Sequence, residues 1–266
     1  MGSLLRNIRF SLRLLRKRPG VSLLAIVALA LGIGANGAVF SAINAILLRP
    51  LPFADQERLV MIWKTQPKTA SSLVEVSYPE LADWRTYAKG FAGLAAVPSA
   101  VNKSFLGGVA EPLAIPGTTV SGNFFTVLGV RPEEGRLLLP EDDRTGAGPV
   151  IVLSDGLRHR LFGLGKQAVG QRLMLNTKTY TVVGVTPPQF QFPKGADYWV
   201  PIVPEIPDQL NDRHTGFLKI LGRLRPGVTL EQARQEMDAV LLRGAASGSS
   251  SRRCRHSSWA IPARLS

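Results

Sequence analysis

Cysteine and histidine are scarce in this chain of 266 residues, which has one cysteine and three histidines. A lone cysteine, Cys254, excludes a disulfide framework or a thiolate metal site within one chain. The histidines, His159, His214 and His256, lie far apart in the sequence and show no ligand spacing, so they predict no metal site.

Acidic side chains are absent from residues 1–18, which carry six basic ones, and no charge of either sign occurs in residues 21–48. The formal net charge of the chain is +13, but residues 19–243 contribute only +3 of it. A domain with so balanced a charge needs no nucleic-acid-binding face. We therefore expect no nucleic acid among the partners.

The uncharged run of 28 residues predicts a transmembrane helix over residues 21–48, because about 20 apolar residues cross a hydrocarbon core of roughly 30 Å. Small residues recur four apart within it, as in Gly34/Ala38/Ala42, and in lipid such a stripe lets another helix approach closely. A cleaved signal peptide with a site at Ala28–Ala30 is the main alternative. The apolar sequence continues too far past that site for a signal peptide, so we favour an uncleaved anchor in contact with membrane lipid.

Charge also predicts the orientation of the chain. The basic residues before the span place the N-terminus in the cytoplasm and everything after Leu48 outside. In residues 1–20 one helical face carries five apolar side chains, which predicts an amphipathic helix on the inner membrane surface: Leu4, Leu5, Ile8, Leu12 and Leu15. A plain basic cytoplasmic tail is the alternative for this segment.

The stretch Gly32-Ile-Gly34-Ala-Asn-Gly37 matches G-x-G-x-x-G, the fingerprint of a dinucleotide-binding turn. That turn needs a strand before the first glycine and an acid roughly 20 residues further on. Asp55 and Glu57 lie at a suitable distance, but two prolines in residues 49–52 exclude the buried strand that should carry the acid. We therefore assign the glycines to the packing face of the membrane helix and expect no bound cofactor.

Residues 49–243 predict an α+β domain. Ser77 to Glu80 and Thr229 to Gln232 form capping boxes that open two helices, the second continuing to Leu242. Ser154 is the predicted N-cap of a helix that ends at Gly163, and a hairpin is expected to turn at residues 176–178. Strands and helices mix without a regular βαβ alternation, which argues against a doubly wound sheet.

The sequence contains few candidates for a catalytic, metal-binding or phosphate-binding site. Glu141, Asp142 and Asp143 lie between a proline and a glycine and predict a solvated acidic loop rather than a cation site. Ser154 lacks the G-x-S-x-G elbow of hydrolases, and residues 163–167 (GLGKQ) do not fit a phosphate loop. We expect no catalytic, cofactor-binding or metal-binding residue, and no enzymatic activity.

Five ordered blocks carry a resemblance to a known family: RPGVSLLAIVALALGIGANGAVFSAINAILLRPLPF, SGNFFTVLGVRPEEGR, VIVLSDGLRHRLFG, TYTVVGVTPPQFQFP and GRLRPGVTLEQARQEMDAV. They resemble permeases of the macrolide-exporter (MacB/FtsX) class of ABC transporters, and within it the acidobacterial duplicated orphan permeases. The resemblance covers residues 4–243. It implies one transmembrane helix, then a two-lobed periplasmic core domain of mixed α/β structure, in the bacterial cytoplasmic (inner) membrane.

The resemblance also implies a function and partners. Permeases of this class are driven by a cytoplasmic ABC ATPase, have three further helices and pair as homodimers. Helix motion is transmitted to the outer domain, which pushes substrates onward. The chain is thus expected to be a non-catalytic permease subunit. The alternative is a binding or regulatory domain anchored by one helix, which would have no further apolar runs encoded downstream.

The last segment, residues 244–266, departs from the rest. The apolar period of the final helix holds to Leu242, and then only Ala, Ser and Gly follow until a run of arginines. The resemblance ends at the same place, and GC-rich codons read out of frame give such a composition. We expect a disordered, frameshifted or truncated tail; a natural disordered linker is the alternative.

Overall fold

The computed structural model of the chain describes residues 55–65, 73–107, 113–163, 165–246 and 258–260, together with Gly20, Leu24, residues 27–34 and Gly37. The chain divides into two compact units, Met1–Pro50 with Ser266, and Leu51–Leu265. The predicted amphipathic segment, apart from Gly20, lies outside the described residues.

In the first unit, all described residues are helical. Five large apolar side chains there are 49% to 74% exposed, namely Leu24, Val27, Leu29, Leu31 and Ile33. No helix within the described residues is both long and apolar enough to cross a membrane. Most of the predicted span lies outside them, so the transmembrane helix stays a prediction.

The glycines of the G-x-G-x-x-G match are described. Gly32, Gly34 and Gly37 are all helical, whereas a dinucleotide fingerprint needs its first glycine at the end of a strand. A Cβ at any of the three would meet no atom within 4 Å. The backbone therefore supports the assignment to a helix.

The second unit contains twelve strands among its described residues. In chain order they are β1 (Leu59–Thr65), β2 (Leu73–Val74), β3 (Phe91–Pro98), β4 (Asn102–Leu106), β5 (Leu113–Val120), β6 (Glu134–Gly135), β7 (Val150–Leu153), β8 (Arg172–Leu175), β9 (Lys178–Val185), β10 (Tyr198–Pro201), β11 (Leu218–Leu224) and β12 (Ser258–Ala260). The α-helices are α1 (Tyr78–Tyr87), α2 (Phe124–Leu128), α3 (Asp155–Phe162) and α4 (Leu230–Ala246).

The strands form two sheets. The first sheet is antiparallel, in the order β12-β1-β11-β3, with β2 also paired to β1. The second has the order β6-β9-β7-β10-β5-β4-β8, and β9 also pairs with β8. That last pairing joins the two ends, so β9, β7, β10, β5, β4 and β8 form a closed ring. Two neighbouring pairs in the ring, β5 with β10 and β7 with β9, are parallel.

The ring is an insertion into the first sheet. Strands β3 and β11 are hydrogen-bonded neighbours, yet β3 ends at Pro98 and β11 begins at Leu218, and every strand of the ring lies between them in the sequence. We call the first sheet with α1 and α4 the base lobe, and the ring with α2 and α3 the ring lobe. The base lobe is thus built from two separate pieces of the chain.

Local signals predicted the starts of α1, α3 and α4 correctly, whereas α2 was not predicted. The Glu80 carboxylate accepts hydrogen bonds from the backbone N–H and the hydroxyl of Ser77, both at 3.0 Å. Thr229 and Gln232 complete the second capping box, with bonds of 2.9 and 3.2 Å. The Ser154 hydroxyl accepts the N–H of Leu157 at 3.0 Å at the start of α3. The two capping boxes and the Ser154 cap are confirmed.

The expectation of disorder after residue 243 is wrong for the residues described there. Helix α4 continues to Ala246, and β12 pairs antiparallel with Trp63–Thr65 of β1. An edge strand offers unpaired backbone groups to any extended segment within reach, which is a pairing that composition does not reveal. The frameshift itself stays a prediction.

Three hydrophobic clusters hold the described part of the second unit together. One lies between the first sheet and its helices, with Leu81 and Trp84 of α1 and Met237 of α4. A second lies where the base lobe meets the ring lobe. The third fills the ring and receives side chains from all six of its strands and from α3.

Candidate functional site

A shared core joins the base lobe to the ring lobe. Strand β10 directs Tyr198 and Val200 into the ring and Trp199 outward into the shared core, because successive side chains of a strand point to opposite faces. Trp199 is fully buried, and its indole N–H donates to the carbonyl of Phe192 at 3.1 Å. Leu59 and Leu221 of the first sheet belong to the same cluster. The two lobes are therefore packed together as one core.

A polar network crosses the same junction. The Arg85 guanidinium on α1 donates to the carbonyl of Leu94 at 3.1 Å and to Asn123 Oδ1 at 3.2 Å. Asn123 Nδ2 also donates to the Leu94 carbonyl, at 3.1 Å. The Ser121 hydroxyl accepts the N–H of Ala96 and donates to Asn123 Oδ1, both at 2.9 Å. One helix of the base lobe is thereby tied to the loop after β5 in the ring lobe.

The acidic loop was expected to be solvated, and for Asp143 this is wrong. Its carboxylate accepts the N–H of Gly122 and the N–H of Val203, each at 2.8 Å, and so joins two loops of the ring lobe. Burial raises the pKa of Asp143 above its usual value. Only Glu141 of the three acids is exposed, as expected. Spacing alone could not show that the backbone amides of two distant loops face this carboxylate.

Asp142 also makes contacts within the domain. It pairs with Arg136 through bonds of 2.6 and 2.8 Å and accepts the N–H of Leu139 at 2.9 Å. Burial opposes its ionisation, but the hydrogen bonds from Arg136 and Leu139 outweigh burial and lower the pKa of Asp142. Neither aspartate is thus a free cation ligand.

The carboxylate of Glu236 holds helix α4 against the rest of the base lobe. Glu236 accepts the backbone N–H of Lys89 at 2.5 Å and that of Gly90 at 2.6 Å, in the turn between α1 and β3. A Cβ added to Gly90 would lie 2.5 Å from the Glu236 carboxylate, so glycine permits the close approach. Ala233 and Met237 of α4 are fully buried beside this contact.

The mouth of the ring contains a cavity of about 130 Å³. The lining is polar and aromatic, with Ser104, Asn176, Tyr180, Tyr198 and Glu205 among its residues. This volume is below the roughly 300–1,000 Å³ of sites for drug-sized ligands. The cavity can therefore take only a small molecule.

Two tyrosines and a glutamate organise the cavity. The Tyr180 hydroxyl donates to Glu205 Oε1 at 2.9 Å, and Lys178 Nζ contacts the same oxygen at 2.6 Å. The Tyr198 hydroxyl donates to Ser104 Oγ at 2.7 Å. Burial raises the pKa of both tyrosines, and Glu205 raises that of Tyr180 further. Both hydroxyls therefore keep their protons at neutral pH.

The residues weighed at first as sites are not brought together. Ser154 caps α3, His159 lies beside Asp155 and Arg158, and His214 lies in an exposed loop. Within the parts of the chain that the structure describes, no three histidine, cysteine, aspartate or glutamate residues could hold a metal ion. His256 lies outside those parts.

Comparison with known families decides the assignment of the whole domain. The family model of the MacB-like periplasmic core domain matches residues 22–240, which is most of the chain. The chain belongs to this family.

Relatives of this MacB-like domain include a macrolide export ATP-binding/permease protein, MacB, of Burkholderia thailandensis. It is 26% identical over 126 residues, which cover 46% of this chain and 19% of that protein. The chain matches about a fifth of the length of this curated relative. The match thus supports the family assignment of this region and leaves most of the relative unmatched.

Solved structures show the same fold. The periplasmic region of MacB from Actinobacillus actinomycetemcomitans has a TM-score of 0.54 and 15% identity, covering 77% of this chain and 88% of that one. The extracellular domain of the ABC-type transporter YknZ from Gram-positive bacteria has a TM-score of 0.53 and 12% identity, covering 76% and 99%. The mixed α/β architecture is thus that of the MacB periplasmic region.

Sequence analysis missed the residues that organise this MacB-like domain internally. Glu236 and the tyrosines of the cavity belong to none of the motifs considered, and Asp143 was expected only in a solvated loop. Their partners are distant in sequence, as with Tyr198 and Ser104, which are 94 residues apart. The sequence signal that could have found Tyr180 is the alternation of side chains along a strand. Tyr180 lies two residues before Val182 in β9, so both side chains are on the buried face.

Proposed function

We propose that the chain is a non-enzymatic permease component of an ABC-type exporter. Its MacB-like domain lies outside the cytoplasm and passes on motion that a cytoplasmic ATPase generates. The proposal is supported chiefly by the inserted topology. Strand β1 and helix α4, the first long strand and the last helix of the domain, both belong to the base lobe, and the ring lobe is reached only through it.

The contacts suggest how motion would pass. A displacement of α4 would reach the turn before β3 through Glu236, and β3 is the strand that leads into the ring lobe. The shared core around Trp199 and the Arg85–Asn123 network would then carry the ring lobe along. No step in this path needs a nucleophile, a general base or a bound metal.

The membrane anchor and the partners belong to the same proposal. The exposed apolar side chains of Leu24, Val27, Leu29, Leu31 and Ile33 would be covered by membrane lipid and by other helices. The N-terminus would lie in the cytoplasm, where an ABC ATPase binds, and a second permease copy would complete the assembly. The relatives' names include an ATP-binding part, which is consistent with such a partner.

Two measurements on the chain test the proposal. Alkaline phosphatase fused after residue 243 should be active, since this enzyme works only outside the cytoplasm. A tag at residue 1 should recover an ABC-type ATPase from detergent-solubilised membranes, and a control chain without residues 1–48 should not.

An inactive fusion would overturn the proposed topology. An active fusion with no recovered ATPase would overturn the permease role and favour the anchored binding domain. Reading the coding DNA beyond codon 243 in all three frames checks the frameshift, because three further apolar spans should be found in another frame.

A further inference from the structure

The proposed transmission of motion makes no use of the cavity at the mouth of the ring. It lies at one end of a closed sheet, and such mouths are common places for small-molecule sites. We propose that this cavity binds a small neutral polyol through adjacent hydroxyl groups. The inference is independent of the transport role.

The hydrogen-bonding groups of the cavity match hydroxyl ligands. Ser104 Oγ accepts from the Tyr198 hydroxyl at 2.7 Å and from Asn176 Nδ2 at 3.2 Å, so its own proton is available for a ligand. Each tyrosine hydroxyl donates to the protein and keeps an oxygen that can accept. A hydroxyl both donates and accepts, so a ligand with several hydroxyls can satisfy both kinds of group.

Glu205 provides a further acceptor. Lys178 and Tyr180 both contact its Oε1, and Oε2 has no hydrogen-bond partner among the residues that the structure describes. Lys178 balances the negative charge of Glu205 through the ion pair between them. The site therefore presents strong polar groups without a net charge, which favours a neutral ligand over an ion.

Size restricts the ligand further. A volume of about 130 Å³ is close to that of an engineered cavity of about 150 Å³ that binds benzene. Molecules with three or four carbons fit that space. The ring of Tyr198 packs directly on Gly117, where any Cβ would overlap the ring, so glycine allows Tyr198 to form this wall of the cavity.

Titration of the full chain with erythritol, followed by saturation-transfer NMR, tests the inference. The chain is kept in an amine-oxide detergent, because sugar-based detergents carry competing hydroxyls. Saturable binding is expected, with weaker binding of erythronate, which adds a negative charge, and of 1,4-butanediol, which lacks the adjacent hydroxyls.

Variants locate the site. Tyr180→Phe and Tyr198→Phe each remove one hydroxyl and should raise the Kd for erythritol about fivefold, the effect of one neutral hydrogen bond. Asn102→Ala, at the exposed rim of the cavity, should also weaken binding without a risk to the core. Tyr87→Phe, on the half-exposed Tyr87 of α1, is the control and should bind normally.

The possible failures are distinct. Absence of saturable erythritol binding would overturn the inference, as would equal binding by the control and all three cavity variants. Tighter binding of erythronate would exclude a neutral ligand. Equal binding of 1,4-butanediol would exclude recognition of adjacent hydroxyls.

Discussion

Substitution of Glu236 offers the sharpest test of how α4 is attached to the rest of the base lobe. Its carboxylate accepts two backbone N–H groups, those of Lys89 and Gly90, at 2.5 and 2.6 Å. Glu236→Gln keeps the size and shape of the side chain, but the amide retains one acceptor oxygen. Its NH₂ group would face the second N–H, so one hydrogen bond is lost and the other loses the help of the charge.

The expected cost follows from these bonds. A hydrogen bond to a charged group contributes about 1.5–3 kcal/mol and a neutral one about 1 kcal/mol. Lys89 is exposed, and water can partly replace its lost partner. We therefore expect Glu236→Gln to lower the free energy of unfolding by about 2 kcal/mol.

A matched control exists on the same helix. Asp238 is exposed two residues further on, and Asp238→Asn removes the same charge without touching the turn. Its effect should remain within about 0.5 kcal/mol, as for most surface substitutions. Urea unfolding of the full chain in detergent, followed by tryptophan fluorescence, measures both variants, because Trp84 is buried in the cluster that contains Met237.

A double-mutant cycle isolates the contact. Gly90→Ala places a Cβ 2.5 Å from the Glu236 carboxylate and should weaken the same bonds. The loss in the double variant should fall short of the sum of the single losses by about 1 kcal/mol, since contacting residues are not additive. Equal stability of Glu236→Gln and Asp238→Asn, or strict additivity, would refute the reasoning.

Three further predictions concern the rest of the domain. Residues 51–246 expressed alone should unfold cooperatively, because they hold all three described clusters; a molten product in circular dichroism and calorimetry would contradict this. Trp199→Phe should cost about 2 kcal/mol and Trp199→Ala about 4 kcal/mol in denaturant unfolding, as for large core aromatics, and near-neutral effects would mean that the shared core is loosely packed. The unchanged chain should lose stability as the pH falls through the lowered pKa of Asp142, and Asp142→Asn should remove that loss. It should also lose stability as the pH rises from the usual carboxyl pKa of 3.8 through the raised pKa of Asp143, and Asp143→Asn should remove that second loss. Stability measured against pH tests both, and unchanged profiles would contradict the assigned pKa shifts.

Much of the local structure was predictable because its causes are local. A capping box joins residues three apart, as with Ser77 and Glu80, so the sequence shows both partners together. The hairpin between β8 and β9 is similar: Asn176 adopts a left-handed conformation at φ 54°, which asparagine tolerates better than most residues.

The paired acids show where local reasoning fails. Asp142 and Asp143 are adjacent in the sequence and have the same side chain, yet the pKa of one is lowered and that of the other is raised. Burial opposes the ionisation of both, but for Asp142 the hydrogen bonds, that from Arg136 among them, outweigh burial, whereas for Asp143 burial outweighs the N–H groups of Gly122 and Val203. Val203 is 60 residues away from Asp143, and no spacing rule reaches it.

The starts of α1, α3 and α4, the hairpin turn between β8 and β9, the uncharged run of residues 21–48 and the family could all be read from the sequence, because each depends on neighbouring residues or on ordered blocks. The three-dimensional fold was needed to show that the ring is inserted between β3 and β11 and that β8 and β9 close it. It was also needed to show that Tyr180, Tyr198 and Glu205 meet at the mouth of the ring. Strand pairing depends on backbone groups that every residue carries, so the side-chain pattern predicts a strand but not its partner.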